Sequence, residues 1–167
     1  MRYFVCFAMA AIAFGQSNPL SADAKGLYML TINNVTKAAD KVPEDQYSFK
    51  PTPEVRSFGQ LIGHVADAQY LFCSAAKGET NPAKGIEKSK TTKADLVAAL
   101  KEAVAYCTAV YDGLTDEAAS GKVKFFGREQ TKLGVLSFNS VHNYEHYGNL
   151  VTYMRLKGIV PPSSEGR

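Results

Sequence analysis

Four stretches of the chain carry apolar residues at intervals of three and four, the spacing that gathers side chains on one face of an α-helix. The first runs from near Ser21 to Lys41, with Leu27, Leu30, Asn34 and Ala38 as its inward stripe and Pro43 ending it. The second opens at Ser57, turns Phe58, Leu61, Ile62, Val65, Ala68 and Phe72 inward, and stops at Gly78. The third takes Thr92 as N-cap with Asp95 three residues on, a capping-box-like start. Leu96, Leu100, Val104, Cys107 and Tyr111 follow on one face, and Gly113 marks its end. The fourth begins at Thr131 or Lys132 and runs to Lys157, with Leu136, Asn139, His142, His146, Leu150 and Tyr153 in one stripe, closed by Gly158 and Pro161-Pro162. A short extended segment is expected over 122–126, and no convincing sheet is apparent. The pattern predicts an all-α four-helix bundle, an architecture that builds metal sites from side chains on facing helices. The loops over 43–53 and 121–127 are natural places for a dimer contact or a pocket lid.

The N-terminus stands outside that pattern. Arg2 precedes an almost unbroken apolar run from Tyr3 to Phe14, and Ala13-Phe14-Gly15 places small residues where a signal peptidase reads. We read residues 1–15 as a secretory signal peptide cleaved before Gln16, with a cut after Ala22-Asp23-Ala24 as the alternative. The run is shorter than the roughly 20 apolar residues that cross a bilayer, and no later segment is long and apolar enough to do so. The expectation is export to the periplasm or beyond with no transmembrane anchor after cleavage. Residues 16–167 then form a single domain with one core. Net charge is +3 for the whole chain, one less without Arg2. The lysines are dispersed apart from a cluster over 84–93, expected in a solvated loop. Basic residues do not alternate with aromatic ones, which argues against a nucleic-acid partner.

Candidate chemistry rests on cysteines and histidines. Cys6 leaves with the leader, so the mature chain keeps Cys73 and Cys107. A pair in an exported protein invites a disulfide. Sixteen residues separate Cys73 from Ser57 and fifteen separate Cys107 from Thr92, so the two are level only if their helices run parallel. Two buried thiols are the alternative. The chain has three histidines. His142 and His146, four apart, point from one helical face, and His64 shares the second helix's stripe with Leu61, Ala68 and Leu71. Three neutral imidazoles with an open position are the ligand set of catalytic metal sites. Asp67, one turn after His64, and Glu145, three after His142, are candidates to orient a ligand or accept a proton; the alternative is a solvated surface carboxylate. Tyr144, Tyr147 and Arg155 either line the pocket or pack outside it. His142-x-x-Glu145-His146 also matches the H-x-x-E-H pattern of inverted zinc peptidases, but the one downstream carboxylate is Glu165, in a tail of proline, serine and glycine.

Two stretches carry a family resemblance. The segment Pro51-Thr52-Pro53-Glu54-Val55-Arg56-Ser57-Phe58-Gly59-Gln60-Leu61-Ile62-Gly63-His64 resembles the proline-rich lead into the first histidine helix of the DinB-like (DinB/YfiT-like) metalloenzymes. The segment from His142 to Pro162 resembles that family's closing helix, with its histidine pair, the glycine at 148, Tyr153 and Arg155, and a Gly-Ile-x-Pro-Pro exit. The resemblance implies a bundle of up-down-down-up topology with His64, His142 and His146 holding zinc, nickel or a similar divalent ion. In that topology the second and third helices run parallel, which favours pairing of Cys73 with Cys107. The implied activity is metal-dependent hydrolysis or group transfer on a small molecule. A non-catalytic metal carrier, or a structural or partner-binding bundle, is the alternative, and a homodimer is compatible with each.

Overall fold

Three of the four long helices begin where a local side chain satisfies their end groups, and the first is capped from afar. The computed structural model describes residues 17–166; the leader read over 1–15 and its cleavage before Gln16 lie outside the described residues. Helix α1 spans Pro19–Lys41, α2 Phe58–Lys77, α4 Lys93–Asp112 and α6 Lys132–Leu156. Two single turns, α3 (Ile86–Ser89) and α5 (Asp116–Ala119), and a hairpin of β1 (Lys122–Phe125) and β2 (Arg128–Thr131) fill the connections. Ser57 and Gln60 form a full capping box on α2, with Gln60 N–H donating to Ser57 Oγ at 3.2 Å and Ser57 N–H to Gln60 Oε1 at 2.8 Å. Gly78, at φ 76°, ends the helix in the left-handed region. Thr92 and Thr131 cap α4 and α6 through bonds from the backbones of Asp95 and Gly134.

The first helix departs from the expected pattern in two ways. It begins at Pro19 rather than Ser21, and its cap comes from a remote segment. The Asp116 carboxylate accepts from Leu20 N–H at 3.1 Å and Ser21 N–H at 2.8 Å, while Asn18 Oδ1 accepts from Asp116 N–H at 2.8 Å. The inward stripe is also rotated. Tyr28, Ile32, Val35 and Ala39 are fully buried, as is the expected Ala38, whereas Leu27 and Leu30 are 44% and 57% exposed. Tyr28 takes the core position because its ring stacks on Tyr111, with centroids 4.2 Å apart, and its hydroxyl reaches Val104 O.

Pairwise contacts fix the helix directions. Gly59 and Gly63 at the start of α2 lie against Leu96 at the start of α4. Further along, Cys73 and Cys107 are joined in a disulfide with Cα atoms 5.3 Å apart. Start meets start and end meets end, so these two helices run parallel. α6 runs opposite to α2, with Phe138 on Phe72 at one end and the Tyr153 hydroxyl donating to Arg56 O at 2.9 Å at the other. Between them lies a buried polar row. Gln69 Nε2 donates to Asn143 Oδ1 at 2.8 Å, Asn139 Nδ2 donates to Gln69 Oε1 at 3.1 Å, and Asn143 Nδ2 reaches Thr31 Oγ1 at 3.4 Å. These bonds satisfy most of the amide groups whose burial would otherwise be costly, Asn139 Oδ1 alone in this row having no hydrogen-bond partner among the described residues.

Two connections hold more structure than their composition indicates. The extended segment expected over 122–126 forms a strand over 122–125, with Phe126 in the turn, and pairs with 128–131 as an antiparallel hairpin, in register Phe125↔Arg128; buried Phe125 leans on Phe72. The lysine cluster over 84–93 contains α3 rather than solvated loop alone, anchored by buried Ile86. The 43–53 connection packs back on its own chain, with Tyr47 buried and donating to Ala39 O at 2.6 Å. Among the described residues, no helix is long and apolar enough to cross a membrane.

The disulfide closes a loop of 34 residues in sequence, for which chain entropy gives about 4 kcal/mol. Guanidinium titration with and without reductant is expected to show a lower unfolding midpoint for the reduced protein, with helical circular dichroism retained before the transition.

Candidate metal centre

The antiparallel pairing of α2 and α6 sets His64 opposite His142 and His146. Their Nε2 atoms converge: His64 to His142 is 3.2 Å and His142 to His146 is 3.0 Å. The ligand atoms of all three lie within 4.8 Å of one another. Imidazole nitrogens about 2.0 Å from a tetrahedral ion sit about 3.3 Å apart, so the spacing is close to that of a shared centre. Gly63 makes the arrangement feasible. A Cβ there would meet Glu87 Cα at 2.7 Å, so hydrogen alone lets the backbone of α3 close onto α2. That approach delivers Glu87 to the site. Its Oε2 lies 3.2 Å from His64 Nδ1 and its Oε1 accepts from Arg56 Nε at 2.8 Å. The carboxylate fixes the His64 proton on Nδ1 and leaves the Nε2 lone pair facing the other rings.

Asp67 acts one step further back. Both its oxygens are engaged by backbone, accepting from Ile86 N–H at 2.9 Å and Glu87 N–H at 3.0 Å. It caps α3 and so places Glu87, rather than touching a histidine itself. Glu145 is exposed beside His146, and the tight group of ligand atoms forms without it. Tyr147 and Arg155 belong to the C-terminal turn: the Tyr147 hydroxyl donates to Ser163 Oγ and accepts from Ser163 N–H, both at 2.9 Å, and Arg155 donates to Ser164 Oγ. Tyr144 is exposed. Glu165 pairs with Lys41 at 2.6 Å and stands apart from the histidine group, so the inverted-peptidase pattern does not assemble.

The electrostatics favour neutral ligands. Burial, followed by the neighbouring imidazoles and Arg56, lowers the His142 pKa to about 3. Burial and His64 lower His146 to about 4. His64 is also lowered, by burial first and Arg56 next, against the opposing pull of Glu87. Neutral imidazoles present lone pairs to a metal near neutral pH. Nδ1 of both His142 and His146 is buried with no hydrogen-bond partner among the described residues. Three unprotonated donors facing one point, with no positive group set between them among the described residues, fit a divalent metal ion.

Two clefts open on the histidines. One, of about 530 Å³, is lined by His64, His142, Phe72 and other apolar residues. The other, of about 430 Å³, is lined by His146, Arg56, Glu87, Glu145 and Asn149.

Arg56, Gly63 and Glu87 escaped the sequence reading. Gly63 and Arg56 sit within the quoted lead to His64, and their roles depend on α3. The lone acid between Lys84 and Lys88, following a glycine and a buried isoleucine, was the available sign of Glu87.

A helical bundle that aims three imidazoles from two facing helices at one point is a bundle with a ligand cluster in its core. Residues 28–150 match the sequence model of the DinB superfamily, and the chain belongs to that superfamily. The uncharacterized protein YjoA of Bacillus subtilis (strain 168) is 30% identical over 135 residues, covering 78% of this chain and 87% of YjoA. The crystal structure of that DinB-like protein superposes with a TM-score of 0.70 at 25% identity, covering 87% of this chain and 99% of the other. A DinB-like protein from Bacillus cereus shares the fold with a TM-score of 0.75 at 16% identity, over 84% of this chain and 95% of its own. The mycothiol-dependent maleylpyruvate isomerase shares it with a TM-score of 0.66 at 19% identity, over 78% of this chain and 60% of the enzyme.

Substituting Gly63→Ala forces α3 away from α2 and is expected to destabilise the protein by about 1–3 kcal/mol, measured by urea denaturation. Unfolded imidazoles titrate near 6.5, above the folded values, so between those limits the unfolded state binds more protons. Stability of the metal-free protein is therefore expected to be full above pH about 6.5 and to fall as pH drops towards about 3. His142→Ala should flatten that slope when unfolding midpoints are compared across the range.

Proposed function

We propose that this DinB-superfamily protein is an exported enzyme that binds one divalent ion, zinc or nickel, through His64, His142 and His146 for hydrolysis or group transfer on a small molecule. The observation that carries the reading is the convergence of three Nε2 atoms from antiparallel helices, that of His142 lying 3.2 Å from His64 and 3.0 Å from His146. Export is supported by the leader-like start and by the paired cysteines, which suit an oxidising compartment. Small-molecule chemistry is supported by the likeness in fold to a mycothiol-dependent isomerase.

Such an ion supplies Lewis acidity, acidifying a water or thiol and polarising a carbonyl. The protein's own groups prepare the place. Glu87 holds the His64 proton at Nδ1 and keeps that ring in register, and Arg56 orients Glu87 from the other side. Phe72, its ring centroid 5.5 Å from that of His142, gives that flank an apolar wall. Arg56 also places a positive charge beside the histidines, where negative charge developing on a reacting group is stabilised.

Metal content by mass spectrometry, on untagged protein beginning at Gln16, tests the reading. About one divalent ion per chain is expected, lost in His146→Ala, and Glu87→Ala should weaken metal affinity about 10- to 100-fold. Metal-free protein after reconstitution, or equal metal in wild type and His146→Ala, refutes it. Metal binding with no turnover across ester, amide and thiol-transfer substrates would instead identify a carrier.

A further inference from the structure

The two clefts at the histidines differ in chemistry, and we infer that the apolar one seats an alkyl or aryl chain of the substrate while its polar reacting group lies at the imidazoles. The inference rests on the proposed metal site and adds the substrate class. Besides His64 and His142, the apolar cleft is walled by Ala68, Leu71, Phe72, Phe126 and Phe138. Its volume of about 530 Å³ falls within the ordinary span of small-molecule sites. Its other polar residues are Asp67, with both oxygens engaged by α3, Asn81, whose Oδ1 accepts from Ala83 N–H, and Lys84. The opposite cleft is bordered by Glu54, Arg56, Glu87 and Glu145. A hydrocarbon chain therefore has one direction in which to leave the histidines.

Phe126 provides the second, independent observation. It and Gly127 form the two-residue turn between β1 and β2, with φ of 47° and 75°. Positive φ at both central positions is the geometry that asparagine-glycine or aspartate-glycine serves best, and a bulky side chain is disfavoured there. Phe126 rests on the ring of the adjacent Phe125, with centroids 4.1 Å apart, yet remains 68% exposed, so burial does little to offset that cost. Leu71 and Phe138, on the cleft wall, are also partly open, at 38% and 46%. An aromatic ring held against turn preference, with a single ring neighbour among the described residues, beside it in the chain, is placed to meet what enters the apolar cleft it lines. Phe126 is thus a specificity-determining residue at the cleft mouth.

The probes are cobalt(II)-loaded protein and a series of straight-chain hydroxamic acids from acetohydroxamate to octanohydroxamate, followed by cobalt absorption bands. Affinity is expected to rise about fourfold per added methylene until the cleft is filled. Phe126→Asn, which suits the turn, should keep or raise the melting temperature while weakening octanohydroxamate tenfold or more and acetohydroxamate far less. Equal affinity at every chain length, with cobalt bands responding, overturns the cleft assignment and leaves the metal reading standing. No cobalt uptake, or bands indifferent to acetohydroxamate, overturns the metal reading and this inference with it. Co-sedimentation with phosphatidylcholine vesicles that Phe126→Asn abolishes would assign the ring to a membrane surface and also overturn the inference.

Discussion

The site depends on how closely one short helix approaches a long one. α3 packs against α2 at Gly63, where even a methyl group would collide with the Glu87 backbone. Asp67, one turn along α2, then captures the backbone N–H groups of Ile86 and Glu87. The two residues flank His64 in sequence and act together: one removes the obstacle and the other supplies the latch. Their joint product is a carboxylate held against His64 Nδ1. Without that approach His64 would keep its place on α2 but lose the partner that selects its tautomer.

Below the histidines, the packing of α6 on α2 is specified by polar groups as much as apolar ones. Gln69 is bonded to Asn143 and Asn139, one of them adjacent to His142 in sequence and the other three residues before it. A shift of α6 along its axis would break both bonds in a buried setting, where the penalty falls on every amide left unpaired. The disulfide between α2 and α4 lies against the same row, with Asn139 Nδ2 3.4 Å from Cys107 Sγ. The histidine pair therefore sits on a helix whose register is fixed from within.

What the sequence made legible follows the range of the interactions involved. Helices α2, α4 and α6 could be read because their caps at Ser57, Thr92 and Thr131 are local and their stripes unambiguous. The three histidines could be read because two share one turn and the third shares an inward stripe. The phase of α1 could not. Leu27 and Tyr28 are adjacent, and the choice between them was made by Tyr111, on another helix. Glu87 and Arg56 were hidden for the same reason, since their meeting with His64 requires α3, a single turn that leaves almost no periodic signal. Asp67 was located as a residue of interest, but its partners turned out to be backbone groups, which no residue pattern displays.

The remote cap on α1 carries an implication for the order of assembly. The opening turn of this helix is held by Asp116, which lies 96 positions beyond Leu20. During synthesis most of the domain must emerge before that turn can be closed, and closing so large a loop comes at an entropic cost repaid only when the bundle is largely in place. The beginning of the domain is thus secured from the turn just ahead of the hairpin and α6, as a clasp closes once the strap has come most of the way round.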